Sequence, residues 1–131
     1  MEGFEALLVS LLQQPAGVVS VLIDPLGGAV TDIGPADTAF PHRNARATIQ
    51  YVAQVTEQPH RQMAQTAVGA VHQAMQPFVS DGVYANYPNQ ELPAWGLAYW
   101  QHNFDRLRRV KSRYDPKNVF RHRQAVPLAD E

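Results

Sequence analysis

The 131 residues make a chain of one modest domain's length, and 45% hydrophobic with 18% charged residues is ordinary for a globular protein. No cysteine is present, which excludes disulfide scaffolds, thiolate catalysis, cysteine zinc sites and cysteinyl attachment of a cofactor within the chain. Net charge is −1 but unevenly placed: residues 1–100 carry 3 Lys/Arg against 8 Asp/Glu, and residues 101–131 carry 8 against 4. The basic tail has no interleaved aromatic platform and the pI is near 6.5, so it reads as a solvated helix face and not as a nucleic-acid surface. No stretch reaches the roughly 20 apolar residues that span a bilayer. Glu2 and Glu5 stand where a secretory signal would be basic, so the expectation is a soluble, cytoplasmic protein.

In chain order, Phe4, Leu7, Leu8, Leu11 and Leu12 have the spacing of one helical face, closed by Gln13-Gln14-Pro15. The β-branched run Val18 to Ile23 reads as a buried strand ended by Asp24-Pro25. Leu26-Gly27-Gly28-Ala29 permits a tight turn, Val30 to Ile33 reads as a short second strand, and 34–43 as an ordered loop with Phe40-Pro41 at a bend. Residues 47–55 alternate, with Thr48, Gln50 and Gln54 polar against Ile49, Tyr51 and Val55, as a half-buried strand does. Pro59 opens a helix of about four turns whose apolar positions are Met63, Ala67, Ala70, Val71, Ala74 and Phe78. Val83 to Tyr87 reads as a short strand with Tyr84 and Asn86 on one side and Ala85 and Tyr87 on the other. A last helix buries Phe104, Leu107, Val110 and Tyr114, pairs Asp105 with Arg109, and stops at Asp115-Pro116. The sum is an α+β domain: an antiparallel sheet of about three to four strands packed against helices. It is taken as one domain over 1–131, in which 1–80 provide the sheet and a helix and 81–131 a tail.

Five histidines, at 42, 60, 72, 102 and 122, lack the i, i+4 or i, i+2 spacing that gathers imidazoles on one ion, so no metal site is expected. No Gly-x-Ser-x-Gly elbow occurs, and Gly27-Gly28 alone is not a phosphate loop. Tyr84-Ala85-Asn86-Tyr87 concentrates two phenols and an amide. A phenol titrates near pH 10, so a catalytic tyrosine needs a neighbouring charge or hydrogen bond to stabilise its anion, and core tyrosines are the commoner case. His42-Arg43 reads either as part of a site or as a loop clamp in which the guanidinium ties carbonyls together.

Taken in order, Asp24-Pro25-Leu26-Gly27-Gly28-Ala29, Thr38-Ala39-Phe40-Pro41-His42-Arg43 and Ile49-Gln50-Tyr51 resemble the substrate domain of the berberine bridge enzyme-like FAD-linked oxidases. The later segments look like that family's C-terminal berberine-like segment: Tyr84-Ala85-Asn86-Tyr87-Pro88, Trp95, Tyr99-Trp100, Asn103-Phe104-Asp105-Arg106-Leu107, Val110-Lys111, Tyr114 to Arg121 and Gln124. The resemblance runs from about residue 18 to residue 127.

The resemblance implies part of the substrate domain of a two-domain flavoenzyme that transfers hydride from a small molecule to FAD. It implies Tyr87 as the catalytic base or hydrogen-bonding partner of a substrate hydroxyl, Gln50 and Tyr84 as further substrate contacts, and Asn86 as the flavin contact. Gln50, being an amide, cannot accept a proton as a base. The flavin domain of such enzymes would precede Met1, so FAD is expected only with a separate flavin-bearing chain and not on this chain alone. The rival expectation is a flavin-free metabolite-binding protein, or a cyclase or isomerase of secondary metabolism. In that case an exposed sheet edge pairs with a second copy in a homodimer.

Overall fold

The computed structural model describes residues 2–130. They form two compact units, Met1–Asp24 with Ala47–Asp81 and Pro25–Arg46 with Gly82–Glu131.

The first unit starts with α1, Glu2–Leu12, whose two glutamates sit in its first turn, where the helix dipole favours negative charge. Gly17, at φ +75, makes the reversal into β1, Ser20–Pro25, in a conformation costly for any side chain. This strand pairs antiparallel with β2, Ala47–Val52, in a two-stranded sheet. Helix α2, Arg61–Met75, follows a 3-10 turn over Gln58–His60, with Pro59 where its missing N–H leaves nothing unpaired. Leu7, Val71 and Met75 are the buried centre, with Leu11, Val19, Val21, Ile49, Tyr51 and Val79 packed around them. The sheet residues in that set are two apart, so one sheet face meets the helices while Thr48, Gln50 and Val52 lie on the other.

The expected faces of both helices are displaced. In α2 the buried stripe is Ala64, Ala67, Val71 and Met75, while Met63 and Phe78 are exposed. In α1 Leu7 and Ser10 are buried, and Phe4, Leu8 and Leu12 form an exposed apolar row. Ser10 tolerates burial because its hydroxyl donates to the Leu7 carbonyl at 2.8 Å.

The second unit is mostly loop and short helix. The expected strand over Val30–Ile33 is not formed: Gly28–Val30 is a 3-10 turn, capped by the Thr31 hydroxyl on the Gly28 carbonyl. Gly28 at φ +53 turns the chain before a strand can start. Helices α3, Trp95–Trp100, and α4, Phe104–Tyr114, meet through the Phe104 ring, which lies against Gly96 and edge-on to Trp95. The expected buried stripe of α4 is only half present. Phe104 and Leu107 are half-buried, but Val110 and Tyr114 are 44% and 75% exposed. Asp105 also lies near Arg108, at 3.9 Å, in place of the expected partner Arg109.

The sheet therefore has two strands instead of three or four, and the described core is small.

Candidate functional site

The segment expected as a strand at 83–87 is a β-turn. The Tyr87 amide donates to the Tyr84 carbonyl at 2.9 Å, placing Ala85 and Asn86 at the corner. That bond uses the Tyr87 amide locally. Val83, one residue ahead, bonds through its N–H to Ala98 of α3 at 2.9 Å, so no ladder forms. The correction changes the geometry of the phenols. A strand would have separated Tyr84 and Tyr87 onto opposite faces, but the turn brings their rings to 5.1 Å, edge to face at 86°. The Asn86 amide donates to the Tyr84 hydroxyl at 2.7 Å, and the Phe40 ring meets Tyr84 at 5.7 Å and 87°. The phenols are half-buried and Asn86 is exposed.

Loop residues 38–43 support this turn. His42 Nε2 is 2.9 Å from the Val83 carbonyl, and a carbonyl can only accept, so the ring carries its proton on Nε2. Nδ1 is then the acceptor for the Gln101 side-chain amide at 3.3 Å. Burial holds the His42 pKa below its ordinary value, with the backbone hydrogen bonds at Val83 and Tyr99 opposing the shift. Gly82 makes the approach possible, since a Cβ there would stand 2.8 Å from Nδ1. Gln101 has φ +46 and ψ −131, a backbone conformation that side-chain-bearing residues rarely adopt. Such a conformation costs on the order of 1–3 kcal/mol and persists only where its surroundings impose it.

Arg43 is the loop clamp. Its guanidinium donates to the carbonyls of Phe40 and Val30 and to the Thr38 hydroxyl, and lies 4.9 Å over the Phe40 ring. Asn103, 3% exposed, adds Nδ2 bonds to Pro35 and Thr38 carbonyls at 2.8 and 3.1 Å. Tyr99, also buried, accepts from the Asn89 amide through its hydroxyl and contacts Gln124. Residue types predicted Tyr84, Asn86 and Tyr87. His42 was visible only as half of an ambiguous pair, and Gln101 gave no signal, because a left-handed backbone at a non-glycine residue leaves no mark in sequence.

Gln50 lies on β2 in the first unit, on the sheet face turned away from Leu7 and Val71. A cavity of about 130 Å³ beside α4, lined by Thr38, Ala39, Asn103, Arg106, Leu107 and Val110, is well below the roughly 300–1,000 Å³ of small-molecule sites. Among the described residues no three His, Asp or Glu side chains gather as metal ligands do. No helix among them is long and apolar enough to cross a membrane.

The two-stranded sheet with its helices, and the aromatic turn beside α3, define part of an FAD-linked oxidase fold. The profile described as "Berberine and berberine like" matches residues 83–127. Berberine bridge enzyme-like 25 of Arabidopsis thaliana is 32% identical over 95% of this chain and 26% of its own length. The uncharacterised FAD-linked oxidoreductase YvdP of Bacillus subtilis is 37% identical over 77% of the chain and 22% of its own length. A histidine-to-alanine variant of berberine bridge enzyme, solved in complex with (S)-reticuline, superposes with a TM-score of 0.88 over 98% of this chain and 30% of that one, at 27% identity. The chain belongs to the berberine bridge enzyme-like FAD-linked oxidases and corresponds to their C-terminal region. It spans about a quarter of the length of the curated relatives it matches.

Proposed function

We propose that the chain is the substrate-side part of an FAD-dependent oxidoreductase and acts only with a flavin-bearing domain. Tyr87 is assigned as the phenol that accepts the proton of a substrate hydroxyl or hydrogen-bonds to it. Tyr84 is a second substrate contact, Asn86 the contact to the flavin edge, and Gln50, on its own unit, a further polar substrate contact. The observation that carries the reading is the Tyr84–Tyr87 turn, which pairs two half-buried phenols with an exposed amide.

The residues present fit one edge of a flavin and not its phosphates. An exposed amide beside aromatic rings suits the hydrogen-bonding rim of a flat heterocycle. Gly27-Gly28, however, opens a three-residue 3-10 turn, which lacks the aligned amides that cradle a pyrophosphate. When bound, FAD would supply the hydride acceptor. What the chain supplies is orientation. Asn86 occupies one side of the Tyr84 oxygen as a donor, which leaves the Tyr84 proton to be given to an acceptor. The Tyr84 ring in turn holds the Tyr87 ring edge-on. The Tyr87 oxygen can take the proton of a substrate hydroxyl only in its phenolate form, the general-base role, and as a neutral phenol it hydrogen-bonds that hydroxyl instead. The exposed apolar row Phe4, Leu8 and Leu12 supports a partner over a free monomer.

The test is reconstitution in two pieces, with the chain co-expressed with the preceding part of berberine bridge enzyme-like 25. A yellow complex that reduces its flavin with a small-molecule alcohol, slowed roughly a hundredfold or more by Tyr87→Phe, is the expected result. A complex indifferent to Tyr87→Phe overturns the role of that residue. Failure of the pieces to associate overturns the shared-site reading.

A further inference from the structure

We propose that His42 and Gln101 form a positioning device that sets the Tyr84–Tyr87 turn, with the Val83 peptide as the point of attachment. This deepens the reading above, since orientation of the phenols matters only if they meet a substrate.

Val83 stands immediately before Tyr84, and both of its polar groups are fixed by other elements. Its N–H is bound to Ala98 of α3, and its carbonyl to His42 Nε2 from the 38–43 loop. The direction in which the chain enters the turn is thereby set from two sides. A second route runs through the rings. His42 lies edge-on to Phe40 at 5.4 Å and 80°, Phe40 meets Tyr84 edge-on, and Tyr84 meets Tyr87. One imidazole therefore reaches the phenols both by hydrogen bond and by ring packing.

Gln101 fixes the imidazole itself. Its amide donates to Nδ1, which keeps the proton on Nε2, where the Val83 carbonyl needs it. Two features of the chain accompany this contact, and Gln101 is also the C-cap residue that ends α3. Gly82 lacks the Cβ that would strike the imidazole, and Gln101 holds a left-handed backbone although it is not glycine. The loop has separate clamps in Arg43 and Asn103, so His42 is not needed to keep it folded. Both ring nitrogens of His42 are occupied, so it acts through the turn and is not a catalytic residue.

The test is solution NMR of the chain alone, without flavin or substrate. In the wild type, ring nitrogen shifts should show His42 neutral and protonated on Nε2, with cross-relaxation between the Tyr84 and Tyr87 rings. His42→Phe keeps the ring contact with Phe40 and loses the hydrogen bond. It should leave the spectrum dispersed, abolish the Tyr84–Tyr87 ring contact and speed exchange of the Tyr87 amide about tenfold. His42→Gln, whose amide can still reach the Val83 carbonyl, should restore much of both. Gln101→Gly removes the side chain while easing the backbone, so a merely structural residue would tolerate it. The proposal expects the turn to loosen there as well, and this variant carries the test if His42→Phe does not fold. An unchanged ring contact in His42→Phe or in Gln101→Gly overturns the device, and so does a His42→Gln variant no better than His42→Phe. If the two-piece enzyme ignores Tyr87→Phe while these NMR results hold, the catalytic reading fails and the positioning device stands.

Discussion

Asn103 is a polar residue at 3% exposure, and it persists in the interior because its amide satisfies carbonyls of the 35–38 loop. Truncation removes those bonds, so Asn103→Ala should cost about 1 kcal/mol, read from urea unfolding. Tyr51 is the converse case. Its hydroxyl is buried with no hydrogen-bond partner among the described residues, and burial pushes its pKa up. Tyr51→Phe should therefore leave the melting temperature unchanged or raise it, while a fall of several degrees would mean the hydroxyl has a partner after all. His42 predicts a pH response. The folded chain holds its proton less tightly than the unfolded chain, whose value is 6.5. Stability is full above that value and falls as the pH drops from it toward the lowered folded value, because the unfolded state takes up the proton first. Comparing urea midpoints of wild type and His42→Gln across that window isolates the contribution, and equal slopes would contradict it. At this scale the sequence picked out residue types and missed their geometry. Tyr84, Asn86 and Tyr87 could be picked out by type. Their meeting in a turn depends on where the Tyr87 and Val83 amides find acceptors, and a strand and a turn share the same residue preferences here.

At the scale of elements, α1, β2, α2 and α4 were legible because apolar spacing marks a buried face. Strand β1 was legible from its β-branched run, but it was expected buried and only Val21 of its residues is half-buried. What spacing could not show is which of two apolar faces has a partner. Helix α1 carries Leu7 and Leu11 inward and Phe4, Leu8 and Leu12 outward, and the two sets are equally hydrophobic in sequence. The same ambiguity moved the buried stripe of α2 by one position and left Tyr114 of α4 exposed. The end of α4 was readable from Asp115-Pro116, but the structure adds a reason for that aspartate. Its carboxylate is hydrogen-bonded by Lys111 and accepts the amides of Val119 and Phe120, and these contacts, led by Lys111, hold its pKa below the usual range. The hook over 115–120 is thus fully formed above the ordinary carboxylate pKa and is lost as the pH falls through the lowered one. Asp115→Ala should speed exchange of the Val119 and Phe120 amides at neutral pH while sparing those within α3. At the α3–α4 junction, a Cβ on Gly96 would stand 2.4 Å from the Phe104 ring. Gly96→Ala should therefore cost about 1–3 kcal/mol by overpacking, whereas Gly69→Ala, exposed inside α2 with open space around it, should stabilise by about 0.5–1 kcal/mol.

For the whole molecule, exposed apolar groups decide more than any single contact. A two-stranded sheet is marginal by itself, since three strands or packing against helices are needed for independent stability. Here one sheet face has the helices, and Leu22 is exposed. The expected three to four strands included Val30–Ile33 and Val83–Tyr87, which form turns instead. The apolar row of α1 is the most economical place to test whether this surface meets a partner. Phe4 is 63% and Leu8 46% exposed, so replacing both with glutamate removes little from the core around Leu7 and Val71. Phe4→Glu with Leu8→Glu should keep the far-ultraviolet circular dichroism and the melting temperature of the parent. In sedimentation velocity the parent should associate, either with itself as concentration rises or with the flavin-bearing piece of the two-chain assay, and the double variant should do so at least tenfold more weakly. A parent that remains monomeric alone and beside that piece would remove the partner from the argument, since the apolar row would then be tolerated surface. Association that survives the double substitution would move the interface from α1 to another exposed apolar group, of which Leu22, Ile23, Val119 and Phe120 are the next to alter.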